Sequence, residues 1–160
     1  MSTPLTITQI EKQANDIRKD IITMLERAGS GHSAGPLGLA DIFAALYFNV
    51  MNIDPKQPEM PGRDMFFLSN GHCAPVQYAA MAEAGFFPKS ELLTLRQWGS
   101  RLQGHPERTM LPGLENTSGP LGCGIGQGAG VAYAFQYLDK ERHRWAYVVT
   151  GDGELNEGNI

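Results

Sequence analysis

The chain of 160 residues is 42% hydrophobic and 19% charged, a globular composition that suits one domain with a buried core. A formal net charge of −4 argues against a nucleic-acid surface, and no apolar run approaches a membrane span or the core of a signal peptide. Cys73 and Cys123 have neither metal-ligand nor disulfide-framework spacing, so two reduced cysteines in a cytoplasmic protein are expected.

In chain order, Thr8-x-x-Glu11 has the spacing of a capping box, with Thr6-x-x-Gln9 as an earlier alternative start. Ile10, Ala14, Ile17, Ile21, Met24, Leu25 and Ala28 then recur at helical intervals until Gly29. Gly29 to Gly38 is rich in glycine and small residues and reads as a loop. Leu39 to Val50 is nearly all apolar, which predicts a buried helix. Asp54 to Gly62 carries Pro55, Pro58 and Pro61 and reads as a surface connection.

Met65 to Leu68 is a short buried-strand candidate, followed at once by Ser69-Asn70-Gly71-His72. A helix continues through Ala79 to Ala84, and Ser90 is a good N-cap for a short helix to Gln97. Trp98 to Ser118 shows little periodicity. Leu121 to Leu138 reads as a helix despite glycine at 122, 124, 126, 128 and 130. Each mid-helix glycine costs roughly 1 kcal/mol against alanine, so this run calls for close approach of a neighbouring element or a flat ligand. Asp139 to Arg144 is a charged surface turn that includes a solvated His143, and Trp145 to Val149 is the second strand. The alternation of strands and helices predicts an α/β domain without internal repeats.

The second strand stops at Gly151-Asp152-Gly153. In a doubly wound sheet, ligands bind outside the carboxyl ends of the strands. An aspartate placed there between glycines can hold a hard cation that in turn holds a diphosphate. An ordinary Asp-Gly turn is the plainer alternative. Three of the four histidines directly follow glycine, in Gly31-His32, Gly71-His72 and Gly104-His105. Each alone is an ordinary loop or capping residue, but three in irregular segments point to shared proton-transfer or hydroxyl-binding work. No Cys-x-x-Cys or His-x-x-x-His pairing supports a zinc site. Gly124-x-Gly126-x-x-Ala129 matches a relaxed dinucleotide fingerprint, but a loop precedes it where a strand is required.

Taken together and in order, Ser30-Gly31-His32, Ser69-Asn70-Gly71-His72, Gly104-His105-Pro106-Glu107, Thr117-Ser118-Gly119-Pro120-Leu121-Gly122 and Gly151-Asp152-Gly153 resemble the amino-terminal part of transketolase. Each motif alone is weak, whereas the ordered set is specific and runs from about residue 10 to the end. The resemblance implies an α/β fold with a doubly wound, mostly parallel sheet of the thiamine diphosphate-binding type. Residues 1–160 would be the first half of the diphosphate-binding domain.

It further implies thiamine diphosphate and Mg²⁺ (or Ca²⁺) as cofactors, with Asp152 as a metal ligand and the Gly153 backbone near a phosphate oxygen. His72 would bond a diphosphate oxygen, and Gly119, Pro120 and Leu121 would form the bed under the aminopyrimidine. His32 and His105 would face the sugar substrate and, with His72, make up the catalytic histidines. Glu157 resembles a residue of a carboxylate network at the subunit interface. The implied reaction moves a two-carbon ketol unit from a ketose phosphate to an aldose phosphate, in the pentose phosphate pathway of the cytoplasm.

Three departures shape the expectation. Ser33 stands where the family usually has proline. A second side-chain metal ligand, an asparagine, would lie beyond Ile160. So would the pyrimidine-binding domain, with the glutamate that activates the cofactor. The chain is therefore expected to be a shortened amino-terminal subunit, inactive alone. Its partner would be a C-terminal transketolase chain carrying the pyrimidine-binding domain, in a dimer of heterodimers without nucleic acid or membrane. Two alternatives stand beside this one. The first is another thiamine diphosphate enzyme, of the deoxyxylulose-phosphate synthase or 2-oxoacid dehydrogenase type. The second is a non-catalytic assembly subunit that retains the fold. Gly104-His105-Pro106-Glu107 with the Ser-Gly-His loop favours transketolase.

Overall fold

The first helix, α1 (Ile7–Ala28), is capped by Thr6 and not by Thr8. The Thr6 hydroxyl accepts the Gln9 N–H, and the Gln9 carboxamide accepts the Thr6 N–H at 2.8 Å, so two otherwise unpaired donors are satisfied together. Thr8 falls inside the helix, where it cannot cap. Ala14, Ile17, Ile21 and Met24 form the buried stripe, and Gly29 closes the helix at φ 63°. These observations come from a computed structural model that describes residues 4–140 and 143–160.

Helix α2 (Ala34–Ala45) begins five residues before the expected Leu39, within the stretch expected to be loop. Pro36 is tolerated because it sits in the first turn, where a helix has no internal partner for an N–H. The helix ends in a wider π-helical turn, Leu46–Val50, in which Met51 N–H reaches the Leu46 carbonyl. Only one face is buried. Ala40, Phe43, Ala44 and Tyr47 point inward, while Ile42 and Val50 are exposed.

Strand β1 (Met65–Leu68) leads through a 3₁₀ turn, Gly71–Cys73, into α3 (Ala74–Ala84), which is buried almost throughout. The helix expected from Ser90 to Gln97 is instead a 3₁₀ stretch, Lys89–Thr94, entered from Pro88 without a side-chain cap. It cannot run on, because Arg96 takes a left-handed conformation at φ 61°. Helix α4 (Cys123–Tyr133) passes into a second π-helical turn, Ala134–Leu138, and strand β2 (Ala146–Val149) follows. His143 is exposed, while Glu141 and Arg142 of the expected charged turn lie outside the described residues.

The strands pair in parallel, with Met65 beside Ala146 and Leu68 beside Val149. Their side chains alternate between two helical layers. Phe66 and Leu68 join the core built with α1, α2 and α3, and Phe66 meets Phe43 edge-on at 5.1 Å. Phe67 and Val148 point the other way, against the backbone of α4. A Cβ added to Gly128 would lie 2.3 Å from Val148 Cγ2, and one on Gly124 would lie 2.7 Å from Ser69 Cα. Those two glycines are there because the strands leave no room for a side chain. Gly126 and Gly130, by contrast, face open space. Helices thus cover both faces of a small parallel sheet, as a doubly wound α/β fold requires.

Side chains lock the sheet in place. Buried Asp64 accepts N–H groups from Asn52 and Trp145 at 2.9 and 2.8 Å, joining the entry of β1 to that of β2. Arg63 is ion-paired with Glu115, and the Asn116 amide donates to the Leu68 carbonyl at 3.1 Å, covering the end of the β1 edge. Cys73 is buried, Cys123 is exposed, and both are free thiols. Among the described residues, no helix is long and apolar enough to cross a membrane.

Candidate functional site

Parallel pairing sends two segments off the same end of the sheet. Ser69-Asn70-Gly71-His72 leaves β1 and Thr150-Gly151-Asp152-Gly153 leaves β2, held together by Ser69 N–H donating to the Val149 carbonyl at 2.9 Å. A Cβ on Gly151 would be 3.8 Å from Asn70 Cβ, so the two segments lie side by side. His72 stands in the 3₁₀ turn after β1. Its ring lies 5.2 Å from that of His32, with the planes tilted by 57°.

His105 completes the cluster from the irregular segment before α4. A Cβ on Gly71 would be 2.9 Å from His105 Cδ2 and 2.6 Å from Ser118 Oγ, so a glycine at 71 lets these groups come together. The Arg96 guanidinium lies beside Gly104. Partial burial, followed by the nearness of His32, His72 and Arg96, holds the His105 pKa below the usual imidazole value. The shift favours the neutral imidazole, the form that can accept a proton. The three histidines expected to act together do meet.

Two further polar groups at this end lack a hydrogen-bond partner, namely Asn70 Oδ1 and Ser118 Oγ, both buried. Such groups are costly unless something pairs with them, so they suit a polar ligand. Beyond Ser118 the Gly119-Pro120-Leu121 turn is open: Pro120 and Leu121 are exposed, and nothing lies within 4 Å of a Cβ placed on Gly119. A rigid turn with an apolar side chain is a fair bed for a flat ring. On the other side, Asp152 is exposed at the head of a 3₁₀ turn, Gly153–Asn156, and Glu157 is exposed just after it. Asp152 offers one carboxylate. Among the described residues, no group of three or more His, Cys, Asp or Glu is arranged to hold a metal ion.

Glu154 was not foreseen. It is only 2% exposed, accepting the Ser69 hydroxyl and the Gly122 N–H (2.6 Å) on Oε1 and the Gly151 N–H (3.1 Å) on Oε2. Burial works to raise its pKa, but these hydrogen bonds, with the nearby His72, outweigh burial and hold the carboxyl below its usual range. In sequence it is one acid among several after a Gly-Asp-Gly turn, with no periodicity to mark it. Asn70 and Ser118 lay within noted motifs without an assigned task.

Clefts of about 520 and 560 Å³ run along the other edge of β1 and share Met65, Arg108 and Glu115; none of the three histidines lines either. The candidate site lies instead at the carboxyl end of the sheet. It combines imidazole, one guanidinium and an unpaired hydroxyl, which suit an anionic group, with an unpaired amide oxygen and an apolar turn, which suit a flat ring bearing N–H donors.

Comparison with known proteins shows the family of the chain. Residues 10–160 match the family described as "Transketolase, thiamine diphosphate binding domain". The chain is 42% identical over 151 residues to the transketolase of Pongo abelii, covering 94% of this chain and 24% of that protein. It is 40% identical over 151 residues to the 6-deoxy-6-sulfo-D-fructose transketolase subunit of Clostridium sp. (strain MSTE9), covering 94% of this chain and 54% of that subunit. Among solved structures, transketolase of Pichia stipitis in complex with sedoheptulose 7-phosphate superposes with a TM-score of 0.87 at 38% identity, over 93% of this chain and 23% of that one. The chain thus spans about a quarter of the length of the full-size relatives it matches.

Proposed function

The chain belongs to the transketolase thiamine diphosphate-binding domain family, and from that premise we propose that residues 1–160 are the first half of the diphosphate-binding domain of a transketolase. The proposed reaction transfers a two-carbon ketol unit from a ketose phosphate to an aldose phosphate. The observation that carries this reading is the meeting of His32, His72 and His105 beside the sheet end from which Asp152 emerges.

The unpaired Asn70 and Ser118 oxygens, the open Gly119–Leu121 turn and the side-chain-free approach at Gly153 fit thiamine diphosphate. Bound there, the cofactor supplies a carbon nucleophile and a sink for the electrons of the broken C–C bond. The Asp152 carboxylate would hold Mg²⁺ or Ca²⁺ against the diphosphate. His72 would donate to a diphosphate oxygen, and Gly119, Pro120 and Leu121 would support the aminopyrimidine. His105, kept neutral, would take the proton of the sugar hydroxyl next to the breaking bond and return it in the second half-reaction. His32 would bond a neighbouring hydroxyl. None of these steps brings fixed charge against the sugar.

We further assign the chain to a two-chain enzyme, with a C-terminal chain supplying the pyrimidine-binding domain and Glu157 in the carboxylate network between subunits, as a dimer of heterodimers. The match to a relative that is itself a transketolase subunit supports this. Free Cys73 and Cys123 suit a reducing, cytoplasmic setting.

The test is calorimetric titration of thiamine diphosphate with Mg²⁺ into the chain alone, with its partner chain, and with Asp152→Ala. Partner-dependent binding that Asp152→Ala abolishes, followed by ketol transfer between sugar phosphates, is the expected result. A folded complex that binds the cofactor under no condition would leave an assembly subunit as the better description.

A further inference from the structure

Glu154 connects three parts of the chain at the carboxyl end of the sheet. Its Oε1 receives the Ser69 hydroxyl from the end of β1 and the Gly122 N–H from the start of α4. Its Oε2 receives the Gly151 N–H from the turn after β2. Ser69 passes the connection on, since its Oγ accepts the Gly124 N–H at 3.0 Å while donating to Glu154. Gly122 is the N-cap residue of α4 and Gly124 lies in its first turn, where N–H groups have no partner inside the helix. One buried carboxylate and one hydroxyl therefore satisfy both.

The positions of the bonded N–H groups matter more than their number. Gly122 directly follows Leu121, the last residue of the open turn proposed to carry the flat ring. Gly151 directly precedes Asp152, on the turn proposed to carry the metal and diphosphate. The carboxylate is thus a strut with one oxygen on each end of the site. Hydrogen bonds to an ionised acceptor are shorter and roughly twice as strong as neutral ones, and the Glu154 side chain is only 2% exposed.

We propose that Glu154 is a positioning residue that fixes the distance between the Gly119–Leu121 turn and the Gly151–Gly153 turn, and so decides how well one molecule can bridge both. This rests on the thiamine diphosphate reading above. Glu154 touches no reacting atom. Its effect is on a ligand that must occupy both ends together, because the benefit of joining two binding fragments exists only when their sites are held at the matching separation.

The test uses the complete enzyme, with the pyrimidine-binding chain in place and Mg²⁺ present, titrated with thiamine diphosphate and separately with inorganic pyrophosphate, which reaches only the Asp152 end. Glu154→Gln keeps size and shape, but its amide nitrogen cannot accept an N–H, so one end of the strut is lost. Expected is a weakening of thiamine diphosphate binding of about tenfold or more, roughly one lost net hydrogen bond, with pyrophosphate binding little changed. The KM for sugar phosphate at saturating cofactor should stay at the wild-type value. Ser69→Ala, a smaller disruption, should move binding in the same direction and serves if Glu154→Gln does not fold.

Unchanged cofactor affinity in both variants overturns the inference. Equal losses for thiamine diphosphate and pyrophosphate overturn it too, since Glu154 would then shape one end only. A wild-type enzyme that does not bind thiamine diphosphate overturns the functional reading itself, and the role of Glu154 with it.

Discussion

Gly71 gives His105 and Ser118 the room to stand beside the histidine turn, since a Cβ there would fall within 3 Å of both. Gly71→Ala should therefore push them outward, costing about 1–3 kcal/mol of stability and weakening cofactor binding more than a surface change would. Urea denaturation and calorimetry read the two effects separately. His105 should behave as a neutral base. Its pKa is below the ordinary 6.5, so the proton it must be free of binds only on the acid side of that value. Ketol-transfer rates should be flat through neutrality and fall below about pH 6.5. His105→Asn keeps hydrogen bonding but not basicity. It should lower kcat by roughly 10²–10⁴-fold and remove that acid limb from the pH–rate profile. At this scale the sequence named the histidines and Asp152 through short glycine-flanked motifs, yet Glu154 stayed hidden. Its burial is made by Ser69 and Gly122, residues far away in the chain.

The glycines of α4 divide by what faces them. Gly128 lies against Val148, so Gly128→Ala should lever the helix from the sheet and destabilise the fold by about 1–3 kcal/mol. Gly126 faces open space, and Gly126→Ala should stabilise by up to about 1 kcal/mol through helix propensity alone. Equilibrium denaturation of the pair checks both signs. The sequence could say that such a run needs a reason but not which glycines supply it, because that depends on the crossing of α4 over β1 and β2. Elements with a clean period were readable: α1 by its apolar stripe and Gly29, the strands by apolar runs ending in turns. The start of α2 was not, because Gly35, Pro36 and Gly38 imitate a loop. Gly35 is in fact packed so close to Cys73 that a Cβ would come within 2.6 Å of its sulfur. Likewise Ser90 offered a cap that the chain does not use.

Across the whole molecule, α1, α3 and the 3₁₀ stretch are joined by Asp20, Glu83 and Lys89, with Lys89 Nζ 3.1 Å from Asp20 and paired with Glu83. Burial, then its hydrogen bond to Glu83, raises the Asp20 pKa to about 6. The folded chain therefore holds a proton that the unfolded chain releases between about pH 4 and 6. The stabilisation from Asp20 is fully present below that window and is lost as pH rises through 6. Asp20→Asn mimics the protonated form and should flatten this part of the stability–pH curve, as thermal melts across the window would show. A different consequence follows from the parallel pairing of β1 with β2. The segments carrying His32 and His72 sit in a layer made by helices near one another in sequence, whereas Gly151-Asp152-Gly153 is positioned only when β2 reaches back across α3 and α4 to find β1. Such distant pairings close slowly compared with local ones. During synthesis and refolding the side carrying His32 and His72 should thus stand ready while the Gly151-Asp152-Gly153 side is still being delivered. Of the two sides, the one after β2 would then be the later to take its place, and the order in which the site is put together would be written in the chain's own topology.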